Sequence, residues 1–250
     1  MAEAEHVPSS LTRAIEIRDM HVTYRLFTQV KPGFRAMVQS GFSGRRFVPV
    51  EALRGVSLSV ERGEAVGIIG RNGSGKSTFL RALAGLLPLA SGEVLTTSEP
   101  MLLGVNSALR PGLSGRQNVS LGLSALGFTR DEVAAMTDEV TEFADIGDFI
   151  DHPMLTYSSG MRARVHLAIA TTVRPDILLI DEALAVGDKN FRARSYGRLN
   201  ELQEQAGVIM LVSHSLSEIL RVSTRVVWIE DGLIRMDGEP KDVVAAYEAS

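Results

Sequence analysis

Two separated segments of this chain carry residue types that could bind a polyphosphate and cleave it. Residues 66–80 read VGIIGRNGSGKSTFL, and Gly70, Gly75, Lys76 and Ser77 meet the spacing G-x-x-x-x-G-K-[ST]. Glycines let the loop Gly70-Arg71-Asn72-Gly73-Ser74-Gly75 curl with positive φ, which turns successive N–H groups inward toward phosphate oxygens. Lys76 adds a point charge for the β- and γ-phosphates, the Ser77 hydroxyl suits Mg2+, and Thr78 can donate to the α-phosphate. Residues 155–188 read LTYSSGMRARVHLAIATTVRPDILLIDEALAVGD. There the small-residue turn Ser158-Ser159-Gly160 opens a helix, and a helix start attracts anions because its first N–H groups have no intrahelical partner. The apolar strand Asp176–Ile180 then ends in Asp181 and Glu182, a carboxylate pair that suits a metal ligand beside a general base. A phosphate binder and a metal-and-base centre in one chain point to nucleotide hydrolysis.

These groups must be held by regular elements, and the apolar pattern indicates which. The strand Ala65–Ile69 precedes the glycine-rich loop, and the periodic run Thr78–Leu87 follows it as a helix. Ala14–Tyr24 and Leu53–Val60 alternate as strands and predict an antiparallel layer beside the nucleotide core. Between them residues 28–50 are loop-like and basic, with Lys31, Arg35, Arg45 and Arg46 among Phe34, Phe42 and Phe47. That segment fits either a contact with a membrane partner or anionic headgroups, or a solvated hairpin connection. Pro88–Val94 is a turn. Residues 113–150 are mostly helical: Thr129 and Glu132 form a capping box, and Val133, Met136, Val140, Phe143 and Ile146 recur at helical spacing. This block lies between the two phosphate-site segments, as a helical subdomain of about residues 106–172 inserted into a single α/β domain. A polar helix, Phe191–Gln205, precedes the strand Val208–Val212, which ends in Ser213-His214. The strand Arg225–Ile229 turns at Glu230-Asp231-Gly232, and a helix, Asp242–Ala249, closes the chain.

Composition narrows the partners. A chain of 250 residues with net charge −4 has room for one large α/β domain and argues against nucleic acid as the main partner. The absence of cysteine excludes disulfides and thiolate metal sites, and His6, His21, His152 and His166 show no metal-ligand spacing. No apolar run approaches the roughly 18 residues of a membrane span, and the start, MAEAEHVPSS, has no leader pattern. Any membrane role is expected to come through a partner.

In their order, these motifs resemble the ATPase subunit of ABC transporters, from Ile15 to Glu248. The resemblance implies an α/β fold with a P-loop NTPase (RecA-like) core, an antiparallel β layer and an inserted α-helical subdomain, with ATP and Mg2+ as ligands. It assigns Asp181, in Leu179-Ile180-Asp181, to Mg2+, Glu182 to the general base, and His214 to the γ-phosphate. Tyr24, in V-T-Y-R, matches the aromatic that stacks on adenine, and Ala185–Asp188 the loop that links two sites across a dimer. Ser158-Ser159-Gly160-Met161, within YSSGM, is similar to the signature commonly written LSGGQ, which acts in trans. The resemblance implies two subunits packed head to tail, each alone half of two sites, so that a homodimer or a heterodimeric partner is expected, with a polytopic permease subunit as the membrane partner. One departure is that the glutamine many members carry on the loop entering the helical subdomain falls near Val105 or Asn106 here; Gln117 is too far along.

YSSGM, ALAVGD and the D-I-G-D-F-I-D run are similar to one branch, exporters of cell-surface polysaccharides of teichoic-acid, O-antigen or galactan type. Ile146–Ile150, Tyr157–Ala163 and Asp176–Asp188 carry that resemblance. Some relatives add a C-terminal carbohydrate-binding domain, which is not expected in a chain ending at Ser250. The expectation is therefore an ATPase subunit on the cytoplasmic face of the membrane that drives export of a lipid-linked glycan. The alternatives are a subunit serving a drug or small solute, or a soluble ABC ATPase outside transport.

Overall fold

The computed structural model describes residues 13–27, 47–103, 109–181, 191, 201, 204–213 and 215–250. Strands β1 (Arg13–Phe27) and β2 (Phe47–Glu61) pair antiparallel, then β3 (Ala65–Ile69) leads into helix α1 (Lys76–Leu83). Next come β4 (Ser91–Thr96), β5 (Met101–Leu103), α2 (Gly115–Ala125), α3 (Arg130–Ala144) and α4 (Ser159–Ala170). The last elements are β6 (Ile177–Ile180), β7 (Val208–Val212), α5 (Leu216–Val222), β8 (Arg225–Glu230), β9 (Leu233–Gly238) and α6 (Pro240–Glu248).

The strands form a three-stranded sheet, β2-β1-β4, and a six-stranded sheet, β5-β6-β7-β3-β8-β9. The larger sheet is parallel except for β9, which returns from β8 through Asp231 and Gly232 at φ 48° and 75°, the geometry of a tight hairpin turn. Its central strands are buried on both faces, and side chains divide by the two-residue period of a strand. Val66, Ile68, Leu179, Met210 and Val227 join α1 and the antiparallel layer in one apolar cluster. Ile69, Leu178, Leu211 and Trp228 face the other way, against Ile219 of α5 and Val243 and Val244 of α6. A third cluster holds α2 and α3 around Val119, Leu123, Val133 and Val140. Helix α4 is shared: Val165, Ala168 and Ile169 pack in the helical cluster, Leu167 and Ala170 against the sheet. It therefore ties the helical block to the sheet core.

Element boundaries differ from expectation in five places, each for a physical reason. The helix after the glycine-rich loop is Lys76–Leu83, not Thr78–Leu87; it starts as soon as Phe79 N–H reaches Gly75 O, and it stops where Gly85 N–H turns back to Ala82 O. Within Pro88–Val94, expected as a turn, Ser91 begins β4, a largely exposed strand without a readable apolar face that is ordered by pairing with β1. Strand β5 is too short to show any period, and pairing with β6 defines it. Residues 47–50, expected as loop, already pair in β2, whereas residues 28–46 lie outside the described residues. The chain's final helix starts at Pro240, two residues before the expected Asp242, with proline in the first turn where its missing N–H costs nothing.

Candidate nucleotide site

The glycine-rich loop emerges at the carboxyl end of β3, between β7 and β8, and hands over to α1. Arg71, Asn72 and Gly73 are exposed at its crest, whereas Ser74 and Lys76 are buried. Lys76 Nζ folds back to donate to Gly70 O at 2.7 Å and Arg71 O at 2.9 Å, so the amine braces the loop from inside. Gly70 sits at φ 149°, and a Cβ there would collide with the Ile229 carbonyl oxygen of β8. A Gly70→Ala chain is therefore expected to lose about 3 kcal/mol or more, since backbone strain and overpacking each cost about 1–3 kcal/mol. Urea unfolding measures this; an unchanged midpoint would show that the loop relaxes freely.

Distant elements clamp the loop. The β8–β9 turn donates Gly232 N–H to Ser74 O at 3.0 Å, and Gly232 O accepts from Arg54 N–H of β2 at 2.9 Å. Arg54 Nε also donates to Asp231 O at 2.6 Å. Tyr24 of β1 is half-buried, with its phenol oxygen 3.2 Å from Thr78 Oγ1 in the first turn of α1. The aromatic expected near adenine thus stands beside the phosphate loop, and Thr78 is already engaged by it.

At the end of β6, Asp181 Oδ1 accepts from Ser77 Oγ at 3.2 Å. These residues are 104 apart in sequence, and the parallel run β3-β7-β6 brings them together. A hydroxyl and a carboxylate are hard oxygen donors, the pair that Mg2+ prefers when it also keeps several waters. The donor set therefore fits that ion.

The Ser158–Met161 turn is built separately. Ser158 is the exposed N-cap of α4, and its Oγ accepts from Met161 N–H at 3.2 Å. Ser159 is exposed, Gly160 and Met161 half-buried, and a Cβ on Gly160 would meet only Ser158 Oγ within van der Waals reach. The helix start is open to an approaching anion. Glu182, Asp188 and His214 lie outside the described residues, as do Val105 and Asn106. Gln117 is accounted for: it is the third residue of a second capping box, with Ser114 as N-cap of α2.

Sequence reasoning missed Arg54 and the β8–β9 turn as parts of the loop's support. It also passed over Asn118, whose fully buried amide binds the carbonyls of Arg110, Leu113 and Ser114 and accepts from Arg110 N–H. The tyrosine that opens YSSGM, where leucine is the common residue, was read for its branch resemblance and not for the contacts its hydroxyl makes.

The sequence model described as ABC transporter matches residues 53–185. The chain is 43% identical over 199 residues to the O-antigen export system ATP-binding protein of Myxococcus xanthus, covering 79% of this chain and 46% of that one. It is 41% identical over 197 residues to a teichoic acids export ATP-binding protein of Shouchella clausii, covering 79% and 55%. With the teichoic acids export ATP-binding protein of Staphylococcus saprophyticus it shares 34% identity over 236 residues, 94% of this chain and 88% of that one. The chain spans about half the length of the first of these curated relatives. Among solved structures, an ATP-binding subunit of an ABC transporter superposes with a TM-score of 0.69 at 20% identity, covering 94% and 93% of the two chains. A dimeric ATP-binding cassette bound to ADP and Pi gives 0.66 at 22%, covering 90% and 98%. These structural likenesses establish the fold.

Proposed function

Because the chain belongs to the ABC transporter family, we propose that it is the ATP-hydrolysing subunit of an exporter of lipid-linked cell-surface polysaccharide. The observation that carries the catalytic half is the approach of Ser77 Oγ to Asp181 Oδ1 beside the lysine-braced loop. The substrate half draws on relatives whose names specify O-antigen or teichoic acid export. ATP is the substrate: residues Gly70–Thr78 wrap its phosphates, and Tyr24 lies against its base. Ser77 and Asp181 would hold Mg2+, which neutralises charge on the phosphate oxygens. Glu182 takes the proton from the attacking water, and His214 orients the γ-phosphate. Ser158–Met161 acts on the nucleotide of a second subunit packed head to tail, with Asp188 at the dimer loop. ATP binding closes this pair and hydrolysis reopens it, which drives a polytopic membrane partner from the cytoplasmic face. Among the described residues no helix is long and apolar enough to cross a membrane, so the path for the glycan is assigned to that partner.

Two experiments test the reading. Ser158→Arg is expected to abolish hydrolysis while each subunit still binds ATP; loss of binding would put the segment in the same subunit's site. Reconstitution with the membrane partner should give ATP-dependent transport of a defined lipid-linked glycan. Transport of a small solute in its place would overturn the substrate assignment.

A further inference from the structure

Tyr157, which precedes the signature turn, is 4% exposed, and its hydroxyl joins three segments. It accepts from Gly115 N–H at 3.1 Å, the first residue of α2, and donates to Phe149 O at 2.6 Å, in the 3-10 turn Gly147–Asp151. Its own carbonyl accepts from Arg162 of α4 at 2.9 Å. The Gly115 N–H belongs to the unpaired first turn of α2, so a side chain 42 residues away satisfies a helix start. Gly115 must lack a side chain, because a Cβ there would collide with the phenol oxygen and with Ile150. The segments joined are not isolated. Loop 110–114, which enters α2, is held on one side by the buried Asn118 amide. On the other side it receives Met154 N–H at Leu113 O and Leu155 N–H at Pro111 O, both at 2.8 Å. One bonded unit thus runs from loop 110–114 to the residue beside Ser158.

We propose that Tyr157 is a positioning residue whose hydroxyl sets where Ser158–Met161 is presented to the partner subunit's nucleotide, and so links the loop entering the helical block to the opposing site. The inference rests on the reading that this turn acts in trans. Leucine, common at this position, could fill the apolar space but would make neither bond. Burial raises the phenol's pKa above its ordinary value, so the hydroxyl remains a donor throughout the working pH range.

Tyr157→Phe keeps the ring in its pocket and removes both bonds, so the fold should survive. The homodimeric variant should show kcat lower by about tenfold to a hundredfold, the range for a misplaced catalytic group, with ATP affinity and unfolding midpoint unchanged. A dimer with one Lys76→Ala subunit has a single working site, made of the intact loop and the variant subunit's signature. Tyr157→Phe in the Lys76→Ala subunit should reduce turnover as strongly, whereas in the intact-loop subunit it should leave turnover unaltered. A general loss of stability would act from either side. Ser158→Arg, placed in the same two ways, tests the premise: without this asymmetry the trans reading fails. If Ser158→Arg shows the asymmetry and Tyr157→Phe does not, the positioning role is overturned. If the one-site dimer does not turn over, the homodimer decides. Wild-type kcat, or a loss that follows the folded fraction, would refute the proposal.

Discussion

Lys76→Ala should weaken ATP binding by about a hundredfold to a thousandfold, the equivalent of about 3–4 kcal/mol. Two losses combine. The ammonium group is the cation assigned to the β- and γ-phosphates, and a charge-assisted hydrogen bond contributes about 1.5–3 kcal/mol. It also braces the loop internally through Gly70 O and Arg71 O, and it is only 7% exposed. Without it the loop loses both its charge and the tie that shapes it. Lys76→Arg should not rescue binding, because a planar guanidinium needs more room than this buried position offers a compact ammonium. Titration with a fluorescent nucleotide measures the effect. Affinity close to that of the unaltered chain would remove Lys76 from the phosphate site.

Glu182→Gln should retain nucleotide affinity and lose about 10²- to 10⁴-fold in turnover, the usual worth of a positioned general base. Glu182 directly follows Asp181, whose carboxylate reaches Ser77, the second residue of α1. Glutamine keeps the size and polarity of the side chain but cannot accept a proton. With hydrolysis blocked, the closed dimer has no route back through product loss, so an ATP-bound dimer should accumulate. Size-exclusion chromatography with ATP and Mg2+ detects it, and single-turnover hydrolysis measures the rate. Near-normal turnover would place the base elsewhere. The two variants also separate binding from chemistry, since Lys76→Ala should never form the dimer that Glu182→Gln traps.

How much was legible follows from the range of each interaction. The glycine-rich loop could be assigned residue by residue, because a local run of glycines, a lysine and a serine is the whole of the proposed binding device. The capping box at Thr129 was readable for the same reason, since its partners lie three residues apart. The buried strands β3, β6 and β7 announced themselves as short apolar runs. By contrast β4 and β5 were missed, one exposed and the other three residues long, since strand pairing and not composition defines them. The clamp of Arg54 on Asp231 crosses 177 residues, and nothing in either neighbourhood marks it. Glu182, Asp188, His214 and the Val105–Asn106 position lie outside the described residues, so their assignment rests on motif order.

By itself, the sequence determined which residues are available for the proposed chemistry: a glycine-rich loop with a lysine and a serine, an adjacent Asp and Glu, a small-residue helix start, and a set of two-sided apolar strands. Only the tertiary structure decided which groups share a site. Parallel stacking of β6 and β7 beside β3 brought Asp181 to Ser77, and the antiparallel layer brought Tyr24 to Thr78. The fold of the helical block set Tyr157 against Gly115. The physical reason is that backbone conformation answers to neighbours a few residues away, whereas contact between distant side chains depends on strand order, register and packing of the whole chain.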